Sequence, residues 1–219
     1  MMRRNHGLYL AALMGGLAIA SAAQAHPHVF ADARLDVSVN AGGIVQKLSH
    51  VWRFDDLFSS TVLMEFDKNG DLLLDDAELA ELSKTINESI AEYNYFQTVL
   101  QDGKDVPMNP PQNLIADFQD SQLLILFETT PKAPLKLVHT VSFGIYDPTF
   151  YTAIDYAEDK DMHAAGVPAD CQSTVVRPDP DEALAANQST LTEAFFNDPT
   201  GTDMSKIFAT RLEITCGAK

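Results

Sequence analysis

The chain has 219 residues, of which 46% are hydrophobic and 21% are charged, and its formal net charge is −16 at pH 7. This apolar content is typical of a folded globular chain and argues against intrinsic disorder. The acidic excess repels phosphate backbones and therefore excludes nucleic acids as partners.

The first 25 residues have the pattern of a secretory signal peptide. A basic start precedes an apolar run over residues 8–23, and the small-residue triplet Ala23-Gln24-Ala25 ends it. Cleavage there is expected to leave residues 26–219 as a single periplasmic domain with a formal charge of −18. No second apolar run approaches the roughly 18 residues that a membrane span needs, so we expect the mature chain not to span the membrane.

The apolar spacing predicts strands, then a helix pair, then strands again. Alternation with a period of two residues predicts a β-hairpin, and a period near 3.6 predicts the helices. The predicted strands are 29–39, 44–52, 96–100 with a return at Val106 after an Asp102-Gly103 turn, 123–127, 135–146, 150–156 and 207–215. The predicted helices are 54–66, 76–95 and 182–196. This order favours an α+β fold, in which an antiparallel sheet or sandwich carries an inserted helical segment at about 54–95 and a C-terminal helix.

The chain has two cysteines, Cys171 and Cys216. In an oxidising compartment an even pair predicts a disulfide. The alternative, a pair of thiolate metal ligands, is weaker because the C-x-x-C spacing is absent. A disulfide would clamp the C-terminus to the body of the protein.

The residues between the first two predicted helices have the spacing of an EF-hand calcium loop. Counted from Asp67, side-chain oxygens fall at positions 1, 3, 5, 9 and 12, and position 7 offers a backbone carbonyl. Position 6, where a glycine normally makes the sharp turn, is Leu72. The alternative is an acidic turn that caps the second helix. The predicted ligands are Asp67, Asn69, Asp71, Leu73, Asp75 and Glu78.

The expected mature N-terminus carries two histidines, His26 and His28, separated by Pro27. Pro27 has no N–H to deprotonate, which argues against an amino-terminal square-planar copper or nickel site. In a strand the two imidazoles would lie on one face and could bind one ion. Zinc, nickel, cobalt and copper all accept imidazole nitrogen. The alternative is a histidine pair that only caps a sheet end.

Two further residues are lesser candidates for the same metal. Asp147 precedes Pro148 in an aromatic turn, where it either initiates the turn or supplies a carboxylate ligand. His139 shares strand parity with Val141 and Phe143, which favours a satisfied core histidine over a ligand. The same caution applies to His50.

Several short motifs follow one another along the chain. They are His26-Pro27-His28-Val29-Phe30, Trp52-Arg53-Phe54-Asp55, the acidic loop with Glu78-Leu79, Tyr93-Asn94-Tyr95-Phe96, Tyr146-Asp147-Pro148-Thr149-Phe150-Tyr151, Ala157-Glu158-Asp159 and Cys171. In this order they resemble the bacterial periplasmic family called domain of unknown function one-thousand-and-seven. Its members are often labelled the periplasmic component of an uncharacterised ABC-type transport system. The resemblance implies an association with membrane transporters of the nickel/cobalt efflux type and with zinc homeostasis.

We therefore expect a periplasmic accessory protein that binds zinc or nickel/cobalt for a membrane metal transporter and has no enzymatic activity. The expected ligands are His26 and His28, with Asp147 and His139 as further candidates. One alternative is a non-enzymatic interaction module whose calcium-like loop is structural. Another is a mono-copper protein in which the amine and ring of His26 form a histidine brace.

Overall fold

A computed structural model of the protein describes residues 28–187 and 205–217. The predicted signal peptide and His26 lie outside these residues, as does the predicted helix beyond residue 187. The described part contains two β-sheets that share one apolar core, with a helix pair inserted between the strands that end at Phe54 and begin at Gln97. The α+β expectation is confirmed at this level.

The first sheet is built on the predicted N-terminal hairpin. Side chains of β1 alternate between buried and exposed along the whole strand, as expected for a strand with one face in the core. Its path runs β10-β1-β2-β7-β5, and β6, β8 and β11 pair beside it. The strands are β1 (Val29–Val39), β2 (Ile44–Phe54), β5 (Met108–Asn109), β6 (Leu114–Gln119), β7 (Gln122–Pro131), β8 (Leu135–Lys136), β10 (Thr152–Asp155) and β11 (Met162–Ala165).

The second sheet is antiparallel throughout its described strands, in the order β12-β13-β9-β3-β4. Cys171 and Cys216 lie directly opposite each other at one end of it and form a disulfide, which confirms that prediction. The strands are β3 (Gln97–Gln101), β4 (Lys104–Asp105), β9 (Thr140–Ile145), β12 (Cys171–Val176) and β13 (Arg211–Cys216).

Three helices are described, and each begins with an aspartate that caps it. Asp55, Asp75 and Asp179 accept hydrogen bonds from backbone N–H groups of the first turn, which would otherwise have no partner. At the second helix the cap is a complete capping box that includes Glu78. The helices are α1 (Asp56–Phe66), α2 (Asp76–Ala91) and α3 (Pro180–Ala186). Within the described residues, none of them is long and apolar enough to cross a membrane.

Two details of the predicted strands are wrong. First, β1 pairs in parallel with β10 and β11, whereas an antiparallel sheet was expected. Second, the predicted strand over residues 135–146 is divided into β8 and β9. The division lies at His139, whose backbone is left-handed with φ of 53° and whose carbonyl accepts the N–H of Cys216 at 2.7 Å.

Candidate functional site

His28 lies immediately before β1, at the corner where β10 begins. Its backbone N–H donates to the carbonyl of Tyr151 at 2.9 Å, and its ring packs on the ring of Tyr151 with the centroids 5.4 Å apart. Val29, the next residue, donates to the same carbonyl at 3.2 Å. His28 is exposed, so the first described residue of the chain presents its imidazole at the surface.

Asp147 lies in the turn that holds Tyr151, but its carboxylate is buried and occupied. One oxygen accepts the N–H and the hydroxyl of Thr149, at 2.7 and 2.6 Å, and the other accepts the N–H of Thr152 at 2.8 Å. Only 4% of Asp147 is exposed. The structure therefore gives Asp147 the turn-forming role that the sequence offered as one alternative, and through Tyr151 this turn positions His28.

His139 does not lie near His28. It borders a surface depression with Gly42 and Gly43, at the far end of the hairpin. The eleven residues of β1 separate these ends by roughly 33 Å, so the two histidines cannot share an ion. His139 is also exposed, while Leu137 and Val141 are buried. The core position expected from strand parity is wrong because the left-handed backbone at His139 breaks the alternation.

The other described histidines are also distant from His28. His50 is opposite Leu35 in the middle of the hairpin, and His163 is opposite Asp36. A histidine brace needs a second imidazole beside the first, and residues 28–187 and 205–217 bring none to His28. Across the same residues, no three side chains of His, Cys, Asp or Glu lie close enough together to hold a metal ion.

An apolar cleft with a volume of about 370 Å³ lies beside the Asp147 turn. Most of its lining comes from three segments that are far apart in sequence: the end of β2, the C-terminal part of α2 with the residues after it, and the turn after β9. Phe58 of α1 and Leu123 of β7 complete it. We name it the aromatic cleft. Its lining includes Trp52, Phe54, Phe58, Ile86, Ile90, Tyr93, Phe96, Leu123, Asp147 and Tyr151.

The backbone after α2 has an unusual conformation where it borders the aromatic cleft. Asn94, Tyr95 and Phe96 are successive residues with φ of 52°, 56° and 54°. Left-handed conformations are disfavoured for residues with a side chain, and such strain is concentrated at functional sites. The Asn94 side chain stabilises the turn by donating to the carbonyl of Gln97 at 2.9 Å. This turn ends the helix four residues before the predicted end at residue 95.

The acidic loop between α1 and α2 is organised by Asp67. Its carboxylate accepts the backbone N–H groups of Gly70, Asp71 and Leu72 at 2.8, 3.3 and 2.7 Å. Leu72 has φ of 63°, so the left-handed turn is made by a leucine where a glycine was expected. The chain therefore turns at position 6 without a glycine there.

Glu78 joins the two ends of this loop. Its carboxylate accepts the N–H of Lys68 at 2.7 Å and the N–H of Asp75 at 3.0 Å, and the residue is buried. The capping role that the sequence offered as the alternative for Asp75 and Glu78 is confirmed. The contact with Lys68 places the Glu78 carboxylate, at position 12 of the loop, beside the start of the loop.

His50 is a buried histidine whose ring nitrogens make no hydrogen bond of good geometry among the described residues, although the Gln97 side chain acts against the effect of burial on its pKa. Its ring stacks on Phe127 with the centroids 4.5 Å apart. Burial lowers the pKa of His50 to about 4, so the ring is neutral at physiological pH. The sequence analysis correctly predicted that His50 is buried in the core. It did not predict that the ring lacks hydrogen-bond partners of good geometry there.

A family model described as "Protein of unknown function (DUF1007)" matches residues 11–216 of the chain. The chain belongs to this family. It is also 27% identical over 208 residues to a protein of Haemophilus influenzae described as an uncharacterized protein, with 93% of this chain and 97% of the relative covered. The resemblance inferred from the sequence motifs is thereby confirmed.

Three of the motifs that carried the DUF1007 resemblance meet at the aromatic cleft. Trp52 and Phe54 come from the motif at residues 52–55, Tyr93 and Phe96 from the motif at 93–96, and Tyr151 from the motif at 146–151. Sequence reasoning treated these aromatic residues as local features and did not predict the cleft. The sequence did contain one feature that could have indicated the cleft. Aromatic residues are dense in short segments that also contain turn residues.

Proposed function

We propose that the protein is an exported, non-enzymatic accessory protein that binds zinc or nickel/cobalt through His26 and His28 and serves a membrane metal transporter. The observation that supports this proposal is the exposed imidazole of His28, held at the surface by Tyr151. Imidazole is a good ligand for these metals. The position of His139 argues against its inclusion, and the hydrogen bonds of Asp147 favour a positioning role for that carboxylate.

The test is calorimetric titration of the chain that begins at His26 with zinc, nickel, cobalt and copper. We expect submicromolar binding that is lost in His26→Ala and in His28→Ala. The matched control is His139→Asn, which removes another exposed imidazole and keeps a residue that tolerates the left-handed backbone. The proposal is contradicted if His139→Asn loses binding and the N-terminal variants retain it, or if the parent chain binds none of these metals.

We also propose that α1, α2 and the loop between them form an EF-hand-like unit that binds calcium. The supporting observation is the left-handed φ of 63° at Leu72, which supplies the turn that such loops need at position 6. The contact of Glu78 with Lys68 at the opposite loop end, and that of Asp67 with the N–H of Leu72 at the turn, also support it. Calcium would have to draw the loop carboxylates closer together than they are in the described structure.

The calcium proposal is tested by the thermal midpoint of unfolding with and without calcium. We expect calcium to raise the midpoint of the parent chain and not that of an Asp67→Asn/Glu78→Gln variant. Asp76→Asn is the matched control, because Asp76 is exposed and lies at none of the ligand positions. An equal calcium effect in all three chains would show that the ion acts only by screening charge.

A further inference from the structure

The aromatic cleft and the acidic helix pair form one continuous end of the molecule. We propose that this end docks a basic amphipathic peptide segment of a partner protein. The apolar side chains of the segment would occupy the cleft, and its cationic side chains would face α1, α2 and their loop. This inference does not depend on metal binding by the N-terminal histidines or on calcium binding by the loop.

The cleft can accept apolar side chains because it is lined by aromatic and aliphatic groups and is open to solvent. Tyr93 and Tyr151 belong to its lining and are 37% and 51% exposed. Its volume of about 370 Å³ lies within the range of specific binding sites. Large aromatic side chains that remain partly exposed are typical of the centres of protein interfaces.

Exposed apolar side chains are concentrated at this end. The described residues include nine large ones, and seven lie on the helix pair, on its loop, in the lining of the aromatic cleft, or, for Phe30, in hydrogen-bond contact with Asp55. Leu57 and Met64 are seven positions apart on α1 and share one helix face. Exposed apolar side chains gathered in one region favour an interaction site there. The seven are Phe30, Leu57, Met64, Leu72, Leu73, Tyr93 and Tyr151.

The charge around this surface specifies a basic partner. Residues 55–92 contain eleven acidic and two basic side chains, a net charge of −9. Both lysines are already paired, Lys68 with Glu81 and Lys84 with Glu88. Charge complementarity therefore favours a cationic segment and disfavours an anionic membrane surface. An apolar surface with an acidic border is complementary to a helix that has one apolar and one basic face.

The test is fluorescence anisotropy with the chain that begins at His26 and a labelled synthetic peptide of leucine and lysine in helical amphipathic spacing, about 18 residues long. EDTA and about 0.15 M salt exclude effects of metal binding and of long-range attraction. One comparison peptide has glutamate in place of lysine, and the other has serine in place of leucine. We expect both to bind at least about tenfold more weakly than the leucine–lysine peptide.

The site is located with two double variants of the chain. Tyr93→Ser/Tyr151→Ser is expected to weaken binding of the leucine–lysine peptide by at least about tenfold. Ile115→Ser/Val138→Ser is the matched control, because these residues are 55% and 38% exposed and do not line the cleft. It is expected to bind like the parent chain. Hydrogen exchange on the parent chain gives a measurement without substitution, and the peptide is expected to slow exchange in residues 86–96 and 147–152.

Four outcomes of the peptide experiments would overturn the proposal. They are no binding of the leucine–lysine peptide, equal binding of either comparison peptide, equal loss in the two double variants, and unchanged hydrogen exchange around the cleft. Vesicles of phosphatidylcholine provide the comparison with a lipid surface. If they compete with the peptide, and the chain binds them through Tyr93 and Tyr151, the surface belongs to a membrane and the peptide assignment is wrong.

Discussion

His28 and Tyr151 are joined both by their rings, with centroids 5.4 Å apart, and by a backbone hydrogen bond of 2.9 Å. Tyr151 in turn belongs to a turn whose N–H groups converge on the buried carboxylate of Asp147. Tyr151 therefore holds the predicted metal ligand His28, and Asp147 supports Tyr151 through the turn. Substitution of Asp147 can therefore test whether it affects metal binding directly or only through the position of His28.

Asp147→Ala is expected to lower the free energy of unfolding by about 2 to 4 kcal/mol, because it leaves N–H groups of Thr149 and Thr152 without their acceptor. Urea denaturation measures this loss. Zinc titration of the folded variant is expected to show weakened but measurable binding, since the turn holds His28 only indirectly. Complete loss of zinc binding in a variant with parent-like stability would identify Asp147 as a ligand instead.

The stability of the protein is expected to depend on pH through His50. Its pKa is lowered from 6.5 to about 4 on folding, so between these values only the unfolded chain binds the proton. The contribution of His50 to the free energy of unfolding is therefore fully present above pH 6.5. It is lost as the pH falls towards 4, which lowers the free energy of unfolding by up to about 3 kcal/mol. Urea denaturation at a series of pH values measures this dependence.

His50→Leu is expected to remove this component of the pH dependence and to remain folded, because an apolar side chain leaves no buried nitrogen without a partner. His163→Ala is the control for removal of an imidazole as such, because His163 is exposed and lies outside the core. Parallel curves for His50→Leu and the parent would contradict the assignment to His50.

Removal of the disulfide is expected to destabilise the protein strongly. Cys171 and Cys216 are 45 positions apart, and a loop of this length corresponds to about 4 kcal/mol in the chain-entropy model. A Cys171→Ala/Cys216→Ala variant should lose this amount in urea denaturation. Dithiothreitol should produce a similar loss in the parent chain and no change in the variant. An unaltered parent under full reduction would show that the crosslink contributes little.

Gly166→Ala is expected to be among the most damaging single changes. Gly166 has φ of +80°, and an added Cβ would lie 2.0 Å from the carbonyl oxygen of Val39. We expect a loss of more than about 3 kcal/mol. Gly103→Ala is the control, because its φ is +75° but no atom lies within 4 Å of the added Cβ. Its cost should be about 1 kcal/mol, and equal losses in thermal unfolding would rule out the clash.

Leu72→Gly is expected to stabilise the acidic loop, because glycine adopts the left-handed backbone at this position without strain. The described structure already has this left-handed backbone, so the gain of about 1 kcal/mol is expected in the free energy of unfolding. Leu73→Gly is the matched control, because Leu73 is equally exposed and is not one of the residues with positive φ. A larger gain from Leu73→Gly than from Leu72→Gly in urea denaturation would disprove the role of position 6.

Local sequence patterns were sufficient for much of the fold. The β1–β2 hairpin follows from strict alternation, the start of α2 follows from its capping aspartate, and the disulfide follows from an even cysteine pair. The hairpin and the helix start depend on residues that are close together in sequence. The disulfide needs no choice between pairings, because the chain has only two cysteines. The strands β6, β11 and β12 were missed because they are short and carry weak alternation.

The candidate sites depended on packing between distant segments. No local pattern shows that Trp52, Tyr93 and Tyr151 line one cleft, or that β10 and β11 pair in parallel with β1. The exposed position of His139 likewise arises from a left-handed backbone that its contact with β13 stabilises. Composition and spacing identified the residues with binding chemistry, but their distances were set by how the two sheets and the helix pair bury their apolar faces.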